Sequence, residues 1–237
     1  MNLILFNTNE IEKPLPIADS RAQHILKVLK VRAGESFDVG LINGPRGKAV
    51  VISQQETHLS LSFHWHESKN QFLPINLWVS YCRPQTCRKI LQECTSLGIQ
   101  SISFFDTEKC EPAYRDSKLW STGEAERLLI RGAEQAFCTL IPKLSFGASL
   151  DELIQDTPNK GEGIALDNYE APTELGANQS YAFPIILAVG GERGWSKSER
   201  DVLRQNRFKL LNLGERVLRT ETACIAAIAI LRSLISD

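Results

Sequence analysis

The stretch Ile185–Leu234, IILAVGGERGWSKSERDVLRQNRFKLLNLGERVLRTETACIAAIAILRSL, decides the fold of this chain. Ile185 to Val189 is almost purely apolar, the pattern of a parallel strand buried on both faces. It ends in a glycine-rich loop, Gly190-Gly191-Glu192-Arg193-Gly194. Ser196 and Glu199 follow in capping-box spacing, so a helix starts directly after the loop. A second strand is expected over Phe208–Leu213, then a charged loop from Gly214 to Glu221. The last helix is apolar all round from Ala223 to Leu231. A helix without a polar face is buried, in a deep core or a subunit interface, and the interface is favoured of the two. Two strand–loop–helix units in succession predict an α/β fold with a mostly parallel sheet.

The same grammar extends upstream. Strands are expected at Ile75–Tyr81, Ile99–Phe105 and Gly163–Asp167. Helices are expected at Thr86–Leu97, at Ser121–Phe137 and at Ser149–Gln155. Ser121 and Glu124 have capping-box spacing. Residues 75–237 therefore form one α/β domain. Residues 1–68 read differently. Leu3–Phe6, Ser36–Ile42, Lys48–Ser53 and His58–Glu67 are strand-like, with one helix at Ser20–Leu29. Asn43-Gly44 is a hairpin signal, because both residues tolerate positive φ. Leu59, Leu61, Phe63 and Trp65 alternate with His58, Ser60, Ser62, His64 and His66, as in a half-buried antiparallel strand. These features predict a small β-barrel, with a polar linker at 69–74.

Composition narrows the function. The formal net charge of -1 over 237 residues gives no global signature of a nucleic-acid binder, and leaves room for a local basic patch. Lys27, Lys30 and Arg32 are candidates for such a patch, with a solvated surface weighing equally. On the helix carrying Arg127, Arg131 and Glu134, a solvated face is the stronger reading. The six cysteines make no CxxC pair, so no metal site is expected, and scattered thiols fit a reducing cytosol. His64 and His66 lack a third ligand. No histidine occurs after His66, so the α/β domain must use another group as base. No uncharged apolar run reaches about 18 residues, which predicts no membrane helix.

Two loops are the candidate site. Ligands in α/β sheets bind at the carboxyl ends of strands, and glycines there let the backbone approach closely. The order G-G-x-x-G, late in the chain, fits a nicotinamide fingerprint poorly. The second loop carries Glu215, Arg216, Arg219 and Glu221 between a buried strand and a buried helix, where charges need partners.

Leu213-Gly214-x-Arg216-Val217-Leu218-Arg219-Thr220-Glu221-Thr222-Ala223 follows a long string, L-G-x-R-(I/V)-L-R-T-E-T-A. With it go Glu134-Gln135 before Pro142, Leu97-Gly98-Ile99, and His24 followed by Val28-Leu29-Lys30. Along nearly its whole length the chain resembles the RsmE-type 16S rRNA uridine-N3 methyltransferases of the SPOUT class. The glycine loop departs from that family's G-P-E-G-G-(F/L)-S at Gly191 and Arg193, which stand for Pro and Gly. Thr86, Glu93 and Ser96 stand for Lys, Lys and Glu.

The resemblance implies a PUA-like β-barrel that binds RNA, then a SPOUT α/β domain with a trefoil knot that binds cofactor and forms a homodimer. It implies S-adenosylmethionine as cofactor, 16S rRNA or the small ribosomal subunit as substrate, and a cytoplasmic location. Leu166, Gly190, Glu192, Gly194, Leu213, Gly214, Leu218 and Thr220 would bind the cofactor. Arg219, Glu221 and Arg216 would be catalytic; Lys27, Lys30, Arg32 and Arg131 would meet RNA. Glu221, Glu192, a phosphate or water are the candidate bases. A SPOUT enzyme with another RNA target, or an rRNA-binding assembly factor without activity, are the alternatives.

Overall fold

The structure, a computed structural model, describes residues 3–66, 71–157, 161–176 and 180–235. The chain divides into two compact units, Met1–Gln71 with Ala133–Ile141, and Phe72–Gly132 with Pro142–Asp237.

The first unit contains β1 (Ile4–Phe6), β2 (Leu15–Pro16), α1 (Ser20–Gln23), β3 (Ser36–Leu41), β4 (Arg46–Gln54) and β5 (His58–His66). They form a mixed sheet in the order β1-β3-β4-β5-β2, with only β1–β3 parallel. The helix expected over Ser20–Leu29 is present, but from His24 to Leu29 it is wound as a π-helix. Phe6, Ala22, Ile25, Val39, Val51 and Leu59 fill the core. Along β5, Leu59 is buried and Phe63 stacks on Trp65 at 5.4 Å, while His64 and His66 face solvent. Residues 133–141 complete this unit through backbone and side-chain hydrogen bonds. The Asn43 N–H donates to the Thr139 carbonyl (2.8 Å), and the Thr139 hydroxyl donates to the Gly44 carbonyl (2.6 Å). Glu134 accepts the Leu5 N–H at 3.1 Å.

The second unit follows the order β6 (Leu73–Ser80), α2 (Pro84–Ser96), β7 (Ile99–Asp106), α3 (Pro112–Arg115), α4 (Glu124–Gln135), β8 (Lys143–Ser149), α5 (Leu150–Gln155), β9 (Glu162–Leu166), β10 (Thr173–Glu174), β11 (Ile185–Val189), α6 (Lys197–Gln205), β12 (Lys209–Asn212) and α7 (Thr220–Ser233). Its seven strands lie in the order β10-β12-β9-β11-β6-β7-β8, and every pair is parallel. β11 lies between β9 and β6 and is buried throughout, as its apolar run requires. Val189 is level with Leu166 and with Val79, so three strands end side by side. Trp78, Phe105, Ala188, Trp195, Leu203 and Phe208 pack one face of the sheet. Each large side chain so buried contributes about 1.5–3 kcal/mol.

Several local expectations change. The helix expected from Ser121 begins at Glu124, and Ser121 instead closes a short 3-10 turn, Lys118–Trp120. Its backbone N–H bonds to the Lys118 carbonyl, so it caps the wrong element for a box with Glu124. Of the linker expected at 69–74, residues 69 and 70 lie outside the described residues, and Leu73 and Pro74 belong to β6. The last helix is apolar but not covered all round. Cys224, Ala227, Ile228 and Leu231 are buried, whereas Ala229 is exposed and Ile225, Ala226 and Ile230 are half-buried. α4 crosses α2 so closely that a Cβ on Gly132 would stand 2.3 Å from the Gln92 carbonyl.

Candidate active site

A cleft of about 610 Å³ opens where β9 and β11 end. Its walls are the glycine loop, the segment Val217–Glu221, and the start of α2. The glycine loop is set by its neighbours. Trp195 is fully buried, and its indole N–H donates to the Leu166 carbonyl at 2.8 Å. A Cβ on Gly190 would come within 3.2 Å of that ring. Gly194 adopts φ +62° and donates its N–H to the Gly191 carbonyl at 2.9 Å, a conformation that favours glycine. The loop runs directly into α6, where Ser196 and Glu199 make the expected reciprocal cap. Glu192 pairs with Arg83 at 3.4 Å. Arg193 pairs with Glu111 at 2.7 Å, a carboxylate outside the cleft lining.

The opposite wall carries the charged residues. Arg219 immediately precedes α7, is exposed, and has no ion pair among the described residues. Glu221 lies buried in the first turn of α7 and bonds Lys89 of α2 at 3.1 Å. Burial pushes the Glu221 carboxyl up, but a backbone N–H, the Lys89 ammonium and Arg219 outweigh it and hold it below the usual carboxylate range. Glu221 is therefore ionised at neutral pH.

Leu166, Gly190, Glu192, Gly194, Leu218 and Thr220 line this cleft together with Arg219 and Glu221. Leu213, Gly214 and Arg216 do not: the first two lie just after β12, and Arg216 is exposed beyond them. Lys27 is exposed on the π-helix of the first unit and Lys30 at the residue that ends it, with Arg32 exposed close behind. Arg131 is exposed on α4. Among the described residues no group of His, Cys, Asp and Glu is arranged to hold a metal ion, and no helix is long and apolar enough to cross a membrane.

Sequence reasoning missed three side chains at the cleft. Lys89 meets Glu221 across more than a hundred residues, so no local spacing announces it. Asp167 accepts two bonds from Arg200 (2.8 and 3.1 Å) and the N–H groups of Tyr169 (3.3 Å) and Glu170 (3.0 Å). Burial pushes its carboxyl up, but Arg200 and the two amides hold it below the ordinary range. Tyr169, on the loop this network fixes, stands at the cleft rim. The volume suits a small organic ligand, and Gly190 and Gly194 both line it.

An all-parallel sheet with a glycine-walled cleft at its strand ends defines a ligand-binding α/β protein. Comparison with known proteins is more specific. A family model described as RNA methyltransferase domain matches residues 68–232. Ribosomal RNA small subunit methyltransferase E of Treponema pallidum (strain Nichols) is 36% identical over 97% of this chain and 90% of its own length. Ribosomal RNA small subunit methyltransferase E 1 of Borreliella burgdorferi is 30% identical, over 96% and 95%. The crystal structure of a ribosomal RNA small subunit methyltransferase E from Neisseria gonorrhoeae, bound to S-adenosyl methionine, superposes with a TM-score of 0.80 at 22% identity, covering 99% of this chain and 98% of that one. The chain belongs to the RsmE-type RNA methyltransferase family.

Proposed function

We propose that this chain methylates small-subunit rRNA, using S-adenosylmethionine, at N3 of a uridine. The observation that carries the reading is the cleft itself: the glycine loop faces an exposed arginine and an ionised, buried glutamate across about 610 Å³. Family membership and the cofactor named for the Neisseria gonorrhoeae structure support the same reading.

The cofactor would lie against Leu166, Gly190, Gly194, Leu218 and Thr220, with its exposed loop backbone as donors and acceptors. When bound, it supplies an electrophilic methyl group. The residues of the chain do the rest. N3 of uridine carries a weakly acidic proton on the Watson–Crick edge, so the target base must be unpaired or flipped. Glu221 and Glu192, which both line the cleft, are the carboxylates placed to take that proton, with Glu221 ionised and held by Lys89. As the proton leaves, negative charge gathers on the uracil oxygens, and Arg219 is available to stabilise it. Holding the nucleophile in line supplies much of the remaining acceleration.

The first unit serves as a PUA-like barrel, with Lys27, Lys30 and Arg32 positioning rRNA. The C-terminal strands and α7 form the trefoil knot, and the uncovered Ile225–Ala229–Ile230 face of α7 meets a second copy in a homodimer. The protein works in the cytoplasm. Arg193 lines the cleft, where Glu111 pairs with its charge.

Two measurements test the function. Calorimetry is expected to detect S-adenosylmethionine binding to the purified chain. Small subunits from cells lacking the protein are expected to lose one primer-extension stop, because N3-methyluridine blocks pairing, and to regain it on incubation with protein and cofactor. Absence of binding at millimolar cofactor, or an unchanged stop pattern, overturns the proposal.

A further inference from the structure

Among the described residues, five large hydrophobic side chains are conspicuously exposed: Val28, Ile52, Phe146, Tyr169 and Val217. The two most exposed, Tyr169 at 76% and Val217 at 79%, both line the one cleft that holds the candidate active site. An exposed apolar side chain costs solvation, and clustering at a cleft marks a contact surface.

Tyr169 is held like a fixture rather than a loose surface residue. Its backbone N–H bonds to Asp167, and Asp167 is locked by Nε and Nη2 of Arg200. The Arg200 guanidinium lies 5.4 Å from the Tyr169 ring centroid, within cation–π range. The ring edge comes within 3.5 Å of a Cβ position on Gly194, where the glycine loop closes. A ring supported by a buried arginine, and otherwise open to the cleft mouth, is a platform for another flat ring.

We propose that Tyr169 stacks on a base of the RNA that enters the cleft, the target uracil or its neighbour. The inference rests on the proposed rRNA methylation and deepens it by naming a base-stacking residue. Aromatic side chains serve this role wherever unpaired bases are splayed out for recognition. The rim position favours RNA over the adenine of the cofactor, because small ligands are largely enclosed by their clefts, whereas Tyr169 is open to solvent.

The test uses the full chain and a single-stranded RNA oligonucleotide carrying 5-iodouridine at the methylated position. Ultraviolet crosslinking to Tyr169 is expected and is lost in Tyr169→Leu. The same variant raises KM for RNA by roughly 5- to 150-fold, the range for loss of one stacked base, and leaves Kd for S-adenosylmethionine unchanged in calorimetry. Tyr169→Phe keeps the ring and recovers both crosslinking and KM. Undiminished crosslinking and KM in Tyr169→Leu overturn the proposal. So does an equal loss of cofactor affinity, which assigns the ring to adenine. Crosslinking needs neither cofactor nor turnover, so this outcome is read separately from failure of the methyltransferase assignment.

Discussion

Replacing Arg200 by methionine removes the partner of a carboxylate that has almost no contact with water. The two side chains are 7% and 1% exposed, and the guanidinium makes two bonds to Asp167. Removing one partner of such a buried pair costs about 3–5 kcal/mol, because the other charge stays buried and unpaired. For a chain of this size that lowers Tm by roughly 6–20 °C. Urea denaturation followed by circular dichroism reads the loss directly. The double variant with Asp167→Asn should be less unstable than Arg200→Met alone, because no unpaired charge then remains buried, while the single amide oxygen keeps one of the two bonds from the Tyr169 and Glu170 N–H groups. The pH dependence supplies the sign. In the native pair the Asp167 carboxyl is held low, so its stabilisation is present above the unfolded value of about 3.9 and fades as pH falls through the folded one. In Arg200→Met the carboxyl is buried without its cation and its folded value rises, so acidification relieves the penalty. The gap between native and variant must therefore narrow from pH 7 towards pH 4. A loss below about 1 kcal/mol, or a gap that stays constant over that range, refutes the reasoning.

Arg219→Ala should lower kcat at least about 100-fold, the effect of removing one donor to a developing oxyanion, with Tm unchanged because Arg219 is exposed and makes no side-chain cap. Near-normal turnover in a methyl-transfer assay removes its catalytic role. Trp195→Phe deletes the indole bond to Leu166 and part of a fully buried ring, and should cost about 1–3 kcal/mol in urea titrations. An unchanged midpoint shows that the loop does not depend on that bond. Glu10 is held at about 2 by its side-chain bonds to Arg21, against the opposing effect of burial. Its stabilisation is present above the unfolded value of about 4.3 and is lost as pH falls towards 2. Glu10→Gln should flatten that part of the acid-stability curve, and an identical curve for the variant sinks the assignment.

Much of the second unit was legible because its elements carry strong local signals. β11 reads as a buried strand from five apolar residues in a row, and α6 from the Ser196–Glu199 box. β8 carries no such signal: it lies at the sheet edge, mostly exposed, and only pairing with β7 makes it a strand. β2 and β10 are two residues each, too short for any period to register. The Ser121–Glu124 spacing suits a capping box, but the Ser121 backbone N–H is taken by the Lys118 carbonyl, so the residue ends one turn rather than opening the next. At the site, the glycine loop and the Arg219–Glu221 string were readable as composition. The Lys89–Glu221 and Asp167–Arg200 partnerships were not, because each joins residues that only the fold brings together. The π-winding of His24–Leu29 has no cue in hydrophobic spacing that separates it from an ordinary helix.

The membership of residues 133–141 in the first unit bears on how this protein can be cut, swapped or inherited. Severing the chain at 71 and 72 would strip the N-terminal sheet of the segment that satisfies the Leu5 and Asn43 amides and the Gly44 carbonyl. The piece left behind would expose those groups and the apolar surface behind them. A single recombination point cannot exchange one unit for a relative's and keep both intact; three junctions must move together. Limited proteolysis should accordingly yield no stable fragment ending near residue 71, because residues 133–141 complete the N-terminal unit.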